Sequence, residues 1–197
     1  MKKVLFIFAF LIALSLAFFL LKDSQKGDEA FSGKVSKVDM EMGLKFEYKS
    51  GLGGYRLDQI PVSADNNSKI TKPIRTYRLM LESDYEEMEG SDIAREGPPV
   101  IMVSVFSNPL KQSVSQWVYA NPGYSNLDLL VGEVNLEVVL SGMSAVSYKI
   151  DGLYQTDVVV ASYAGNIYLF SGSYLEEDSQ IKEDFQTFLA SVEFVQI

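Results

Sequence analysis

Residues 166–195 read NIYLFSGSYLEEDSQIKEDFQTFLASVEFV, and the spacing of their apolar side chains changes twice along the run. Asn166–Tyr174 is predicted to be a strand in which Ile167, Leu169 and Ser171 alternate with Tyr168, Phe170 and Gly172, because successive side chains of a strand point to opposite faces. From about Ser179 to Leu189 the apolar residues instead recur at helical spacing. One face of this helix is predicted to carry Ile181, Phe185, Phe188 and Leu189. Val192–Val195 predicts a short closing strand.

The chain upstream, from Met40 onward, contains the same kind of alternation in several short runs. These runs predict strands at Leu44–Tyr48, Tyr77–Leu81, Val100–Phe106, Val134–Leu140, Ala145–Ile150 and Gln155–Ser162. A short helix is predicted after Ser113, whose hydroxyl can cap it, with Val114, Trp117 and Val118 on its buried face. Strands that follow one another with only two helices indicate an α+β fold. We expect an antiparallel sheet of about six to eight strands packed with two or more helices.

A hydrophobic segment, Val4–Leu21, follows the basic residues Lys2 and Lys3. As a helix it would span roughly 27 Å, close to the thickness of a membrane hydrocarbon core. Because basic residues stay on the cytoplasmic side, the sequence predicts a single-pass anchor at residues 1–21, with the N-terminus inside and the rest outside. The alternative is a signal peptide cleaved after Ala17, which would leave a secreted domain.

The rest of the chain divides into a tether and a domain. Residues 22–39 are polar, contain Gly and Ser, and show no regular apolar period, which is typical of a tether. Residues 40–197 carry the strand and helix patterns and are predicted to form one extracytoplasmic domain. Hydrophobic residues make up 47% of the chain, enough for a core without metals or disulfides.

The composition excludes several classes of function. The chain has a formal net charge of −9 and contains neither cysteine nor histidine. An acidic protein repels phosphate backbones, so nucleic acid is not an expected partner. Without cysteine there are no disulfides or thiol nucleophiles, and without histidine most zinc, copper and haem sites and Ser–His pairs are removed. We therefore predict no cofactor and no enzyme activity.

Three stretches together resemble the PsbP-like family, whose sheet is sandwiched between helices. They are Leu44–Tyr48 before a Gly-rich turn, Ser141–Tyr148, and the run from Gly165 through an acidic turn to Phe194. The resemblance covers roughly residues 41–197. It implies the PsbP-like sandwich fold and, for function, a non-enzymatic extracytoplasmic accessory or binding domain.

Two short motifs match known site patterns only in part. Ser179-Gln180-Ile181-Lys182 has the S-x-x-K spacing, but the chain has no K-T-G, and Ser91-Asp92 precedes Ile93 where Asn is needed. Ser179 stands where the last helix begins, so a capping hydroxyl is the favoured interpretation. Residues 27–34, GDEAFSGK, have the wrong spacing for a phosphate loop and lie in the tether.

The densest acidic run lies between Glu82 and Glu96, where Arg95 is the only cation. Hard cations such as Ca²⁺ need several oxygen ligands, which such a loop could supply. The run lacks EF-hand spacing, so a solvated loop is favoured and no metal site is predicted. The candidates for a weak cation site are Asp84, Glu86, Glu87, Glu89 and Asp92.

These observations favour a membrane-tethered extracytoplasmic binding or accessory domain that acts through protein contacts, with another envelope protein as its partner. Two alternatives stay open. A carboxylate-dependent hydrolase of envelope glycans would need two facing carboxylates, whose separation is a property of the fold. A divalent-cation-binding surface module would use the acidic loop.

Overall fold

The computed structural model describes residues 33–61, 72–89 and 96–196. The strands in these ranges are β1 Gly33–Asp39, β2 Leu44–Ser50, β3 Tyr55–Gln59, β4 Arg75–Leu81, β5 Ile101–Ser107, β6 Leu130–Leu140, β7 Met143–Asp151, β8 Gln155–Tyr163, β9 Asn166–Tyr174 and β10 Glu193–Phe194. The helices are α1 Glu82–Glu89, α2 Val114–Ala120, α3 Pro122–Ser125 and α4 Gln180–Ala190, with a 3₁₀ turn at Leu127–Leu129.

The strands form two antiparallel sheets. The large sheet has seven strands in the order β3-β4-β5-β9-β8-β7-β6, and the small one has the order β1-β2-β10. Most neighbours in the large sheet are consecutive in the chain, but β5 pairs with β9, which places distant parts of the chain side by side. The predicted α+β class with an antiparallel sheet is confirmed, and the number of strands in the large sheet lies within the predicted range.

Helix α4 lies between the two sheets. It contacts β9 of the large sheet on one side and β2 of the small sheet on the other. Phe188 packs against Phe46, Phe170 and Phe185, with ring centroids between 5.1 and 6.4 Å apart. Phe185 and Phe188 are buried, as the apolar spacing of this helix predicts. This aromatic core therefore ties the C-terminal helix to both sheets.

Helix α2 covers the opposite face of the large sheet. Its Trp117 is 1% exposed and packs on Phe106 with ring centroids 4.8 Å apart, which confirms a core role for this residue. The predicted cap is also confirmed. The Gln116 backbone N–H donates to the Ser113 hydroxyl at 3.2 Å, and the Ser113 N–H donates to the Gln116 side chain at 2.9 Å.

The folded domain begins before residue 40, which is the predicted boundary between tether and domain. Gly33–Asp39 forms β1 and pairs with β2 along its whole length. Most β1 side chains are exposed or half-buried, so the strand has no apolar alternation for a sequence pattern to detect. It is held by backbone pairing and by Asp39, whose carboxylate accepts hydrogen bonds from Tyr77 and from two backbone amides. The folded domain therefore includes residues from Gly33 onward.

The predicted acidic loop after β4 is also different in the structure. Glu82–Glu89 forms helix α1, which packs near β3 and β4 and has no buried residue. A helix without an apolar stripe gives no helical periodicity in the sequence, which is why a loop was predicted. The remainder of the predicted loop, residues 90–95, lies outside the described residues.

The predicted anchor at residues 1–21 and most of the predicted tether also lie outside the described residues. Within the ranges that the structure describes, no helix combines the length and apolar character needed to cross a membrane.

Strand β6 changes the face of the sheet to which its side chains point. Leu130 and Val134 pack with the core beneath α2, whereas Val138 and Leu140 pack with the core beneath α4. All four positions would share one face of a regular strand. A register shift in the pairing with β7, between Asn135 and Val138, accounts for the change. The C-terminal half of β6 therefore contributes side chains to the α4 side of the sheet.

Candidate functional site

A groove of about 680 Å³ lies between α4 and the β6 end of the large sheet. Three parts of the fold line it: Val131, Glu133, Asn135, Val138, Val139 and Leu140 of β6; Ser147, Tyr148, Lys149, Asp157, Val158 and Val159 of β7 and β8; and Phe185, Gln186, Leu189 and Ala190 of α4. It is partly open to solvent. Three other cavities among the described residues have volumes of about 240, 290 and 340 Å³.

The position of α4 creates the groove. The helix sits over β9 and beside β2, and among residues 33–61, 72–89 and 96–196 no second helix covers β8, β7 and β6 on that face. Apolar side chains of α4 and β6 then face a common space. Val139 is 72% exposed, although it is a large apolar residue that a buried sheet would cover. The groove therefore presents apolar surface to solvent next to a sheet edge.

A charged cluster adjoins this groove through Lys149 and Asp157, which belong to its lining. The Lys149 ammonium lies 2.5 Å from Glu177 and 4.0 Å from Asp157. The Tyr174 hydroxyl donates to Asp157 at 3.0 Å. Lys182 forms an ion pair with Glu177 and lies 4.9 Å from the centre of the Tyr174 ring. Each charged side chain in the cluster therefore lies beside one of opposite charge. These ion pairs connect β7, β8 and α4.

Tyr174 acts as a fixed donor in this cluster. Burial raises the pKa of Tyr174 above its usual value, Lys149 opposes the rise, and the Asp157 carboxylate adds to it. The hydroxyl therefore stays protonated at neutral pH and keeps donating to Asp157.

The groove does not offer the setting that a glycosidase needs. Such an enzyme pairs a carboxylate with a general acid that an apolar environment keeps protonated. The carboxylates in the groove lining are Glu133 and Asp157. Glu133 lies exposed on an edge strand, and Asp157 is engaged by Tyr174 and Lys149. Neither carboxyl has an apolar enclosure, so no observation here favours glycan hydrolysis.

Four of the five predicted cation-site candidates lie on one short helix of the described part of the chain. Asp84, Glu86, Glu87 and Glu89 lie on α1, where successive side chains point in different directions around the helix axis. Asp92 lies outside the described residues. Within residues 33–61, 72–89 and 96–196, no group of three or more acidic side chains is arranged to hold a metal ion.

The S-x-x-K match likewise forms no reactive pair. Lys182 is engaged by Glu177 and Tyr174, and the buried Ser179 hydroxyl has no hydrogen-bond partner. Ser179 does precede α4 at the N-cap position, but its hydroxyl makes no capping bond, so the prediction of a capping hydroxyl is wrong. The backbone carbonyl of Ser179 accepts the first helical bonds instead, from the N–H groups of Lys182 and Glu183.

Helices on both faces of one antiparallel sheet, with a small sheet beside the C-terminal helix, form an architecture known from solved structures. The fold is PsbP-like. The solution structure of cyanobacterial PsbP (CyanoP) from Synechocystis sp. PCC 6803 superposes with a TM-score of 0.51, covering 85% of this chain and 96% of that one. The two sequences are 14% identical, so the similarity establishes the PsbP-like fold and not a shared activity.

The PsbP-like resemblance predicted from the sequence is therefore confirmed at the level of the fold. Neither a protein-family model nor a curated protein sequence matches this chain.

Sequence patterns did not predict the groove. The predicted strand Val134–Leu140 covers only part of β6, and alternation around Asn135 is broken by the register shifts. One signal was present in the sequence. On one face of a regular strand, apolar residues are separated by an even number of positions. Val131, Leu136 and Val139 do not follow this spacing, since Leu136 is five positions from Val131 and three from Val139.

Proposed function

We propose that this chain is a membrane-tethered, extracytoplasmic accessory domain that binds a protein partner through the groove between α4 and β6. The observation that carries the proposal is the groove itself, a large concavity on the PsbP-like fold whose walls combine apolar and polar side chains, next to a sheet edge that has no strand partner among the described residues. A groove that is partly open to solvent can take up an extended or helical segment of a partner protein.

Two further observations support binding over catalysis. The charged groups in and beside the groove, among the residues described, are largely engaged in pairs between elements of the fold, such as Lys149 with Glu177. The resemblance to the PsbP-like family also implies an accessory role. The acidic net charge of −9 is consistent with a protein partner rather than a nucleic acid.

Site-specific photo-crosslinking in cells tests this proposal. Benzoylphenylalanine placed at Gln186 or Val139, which line the groove, should form one discrete adduct with a partner. The same group at Tyr119 or Leu110 provides the control, because these residues are 60% and 79% exposed and do not line the groove. Equal adduct patterns from all four positions, or none from the groove positions, would reject the groove as the binding site.

The tether is proposed from the predicted anchor at residues 1–21. The full chain should remain with membranes after carbonate washing, because Val4–Leu21 is long enough to span a bilayer. A mature N-terminus at Phe18, found by mass spectrometry, would replace the anchor with a cleaved signal peptide and a secreted domain.

A further inference from the structure

A second cavity, of about 290 Å³, lies on the face of the large sheet opposite the groove. Its lining comes from β5, β9, β8 and β7, and from α3 with the residue that follows it, Asn126. Helix α2 packs mainly on β7 and β8 on this face, whereas β5 and β9 are the central strands of the sheet. The cavity therefore lies beside α3, over central strands that α2 covers only in part.

The side chains of this cavity are uncharged. Although 22% of the residues in the chain are charged, none of the described residues that line the cavity is. The polar groups of the lining include the hydroxyls and the amide of Ser104, Tyr124, Asn126, Thr156, Ser171 and Ser173. An uncharged wall offers no counter-ion, so a charged ligand would lose its hydration without compensation. The lining therefore favours an uncharged ligand that forms hydrogen bonds.

Two of the hydroxyls have free capacity for such hydrogen bonds. Ser104 and Ser171 are half-buried, and within the described ranges neither hydroxyl is hydrogen-bonded to a protein group. Ser104 pairs with Leu169, two residues before Ser171, so the two serines lie diagonally on neighbouring strands. Beside them the Thr156 and Ser173 hydroxyls are hydrogen-bonded to each other at 3.2 Å. Each free serine hydroxyl can both donate and accept.

Aromatic and aliphatic side chains form the apolar part of the wall. The ring centroids of Phe106 and Tyr124 lie 4.9 Å apart at an interplanar angle of 60°, and Val158 and Leu169 extend this surface. A sugar ring has the same division, because its hydroxyls lie around the rim and its C–H groups form apolar faces that pack on aromatic rings. The cavity volume is close to the lower limit of ligand pockets, about 300 Å³, which suits one ring.

We propose that this cavity is a carbohydrate-binding site that takes up one ring of a neutral sugar. The hydroxyls of Ser104 and Ser171 bind sugar hydroxyls, and the rings of Phe106 and Tyr124 pack against a C–H face. The ring is either a free sugar or one unit of a glycan chain. The site binds without hydrolysis, since no carboxyl group is present among the described residues of its lining. It is separate from the groove, and the inference does not rest on the proposed function.

Ligand-observed NMR with the purified full chain, in a detergent without sugar headgroups, tests this proposal. The single-ring probes are the methyl glycosides of glucose and N-acetylglucosamine, and the chain probes are maltohexaose and chitohexaose. Methyl glucuronoside is the matched control, because it is the glucose ring with a carboxylate. We expect saturation transfer to neutral probes and on the order of fivefold weaker binding of the glucuronoside than of the glucoside.

The probes also distinguish the two sources of the ring. Tighter binding of a hexasaccharide than of its single ring identifies a glycan chain as the ligand, and equal binding identifies the free sugar. Binding of the glucuronoside as tight as that of the glucoside, or no binding of any neutral probe, would overturn the proposal.

Substitutions at the free hydroxyls locate the site. Ser104→Ala and Ser171→Ala should each weaken binding of the neutral probes by about three- to tenfold, because each removes one hydrogen bond to the ligand. Ser147→Ala is the matched control, since Ser147 is a half-buried strand serine that lines the groove on the other face. It should bind the probes as the parent does. Equal affinities of the three variants would reject this cavity as the site.

Thermal unfolding of the same variants separates binding from folding. Ser104→Ala and Ser171→Ala should unfold near the parent temperature, because neither hydroxyl is hydrogen-bonded within the described ranges. Weaker sugar binding that only accompanies a loss of folding would count against the site. The crosslinking test of the groove is independent of these results, because the cavity and the groove lie on opposite faces of the sheet.

Discussion

Gly172 of β9 lies directly beneath the ring of Phe185 of α4. A Cβ atom at position 172 would be 2.4 Å from Cγ of Phe185 and 2.7 Å from Cδ1, far inside van der Waals contact. The absence of a side chain at Gly172 therefore lets the helix approach the sheet closely. Since α4 forms one wall of the groove, this contact also sets the position of that wall.

Gly172→Ala should destabilise the domain by about 1–3 kcal/mol, because the added methyl group forces either the Phe185 ring or the helix to move. Denaturant unfolding measures the change. In a Phe185→Ala background the same substitution should cost less, since the ring no longer collides and only the Cβ atom of residue 185, at 2.8 Å, remains close. Equal costs in the two backgrounds would show that position 172 acts through the strand alone.

Phe185→Ala should cost about 3–5 kcal/mol, from lost burial and from the cavity that remains. Phe185 is 0% exposed, whereas its neighbour Gln186 points to solvent. Gln186→Ala is therefore the matched control and should change the free energy of unfolding by no more than about 0.5 kcal/mol. Similar small effects at both positions would mean that α4 is not docked on the sheet in solution.

Asp39 should make the stability of the domain fall at acid pH. Its burial opposes ionisation, but hydrogen bonds from Tyr77 and from backbone amides, together with Arg75, outweigh burial and lower the pKa of Asp39 below 3.8. A carboxyl with a lowered pKa in the folded state stabilises the fold above its unfolded pKa. That contribution is lost as pH falls through the folded pKa.

Asp39→Asn should accordingly lower the free energy of unfolding at pH 7 by roughly 1–3 kcal/mol, since a charged acceptor of hydrogen bonds is removed. The gap between the variant and the parent should narrow as pH falls below 3.8, the usual pKa of the group. Urea unfolding across the acid range measures both curves. A gap that is independent of pH would mean that the carboxylate charge contributes nothing.

Removal of β1 should weaken the fold. A fragment of residues 33–197 should unfold at the same denaturant concentration as a longer chain that retains part of the tether. A fragment of residues 40–197 loses the pairing of β1 with β2 and also loses Asp39. It should be destabilised by more than Asp39→Asn alone. Equal stability of the two fragments would place the domain boundary at residue 40 after all.

Ser113→Ala should destabilise the domain by about 1 kcal/mol, because it removes one half of the capping box at the start of α2. Ser113→Thr keeps the hydroxyl and should restore most of the loss. Thermal unfolding of the two variants provides the comparison. Equal losses for Ala and Thr would show that the cap hydrogen bond contributes little in this protein.

Helix α4, helix α2 and most strands of the large sheet were predictable from local pattern. In α4 the apolar residues Ile181, Phe185 and Phe188 recur at helical spacing because one side of the helix is buried. In β9 the residues Ile167–Phe170 form a continuous apolar run, because one face of the strand packs beneath α2 and the other beneath α4. Burial of one face of an element requires apolar side chains at the positions on that face, so it produces a periodic pattern of apolar residues in the sequence.

Strand β1, helix α1 and the groove do not produce a periodic pattern of apolar residues in the sequence. β1 is bound through backbone hydrogen bonds, which every residue except proline can make, so its polar side chains do not mark it. The groove depends on which strand α4 covers, and that follows from the pairing of β5 with β9 and from the Gly172–Phe185 contact. Sequence period specifies which side of an element is apolar. Only the packed chain specifies which apolar surfaces meet and which, as at β6, are left exposed, because that depends on contacts between residues far apart in the sequence.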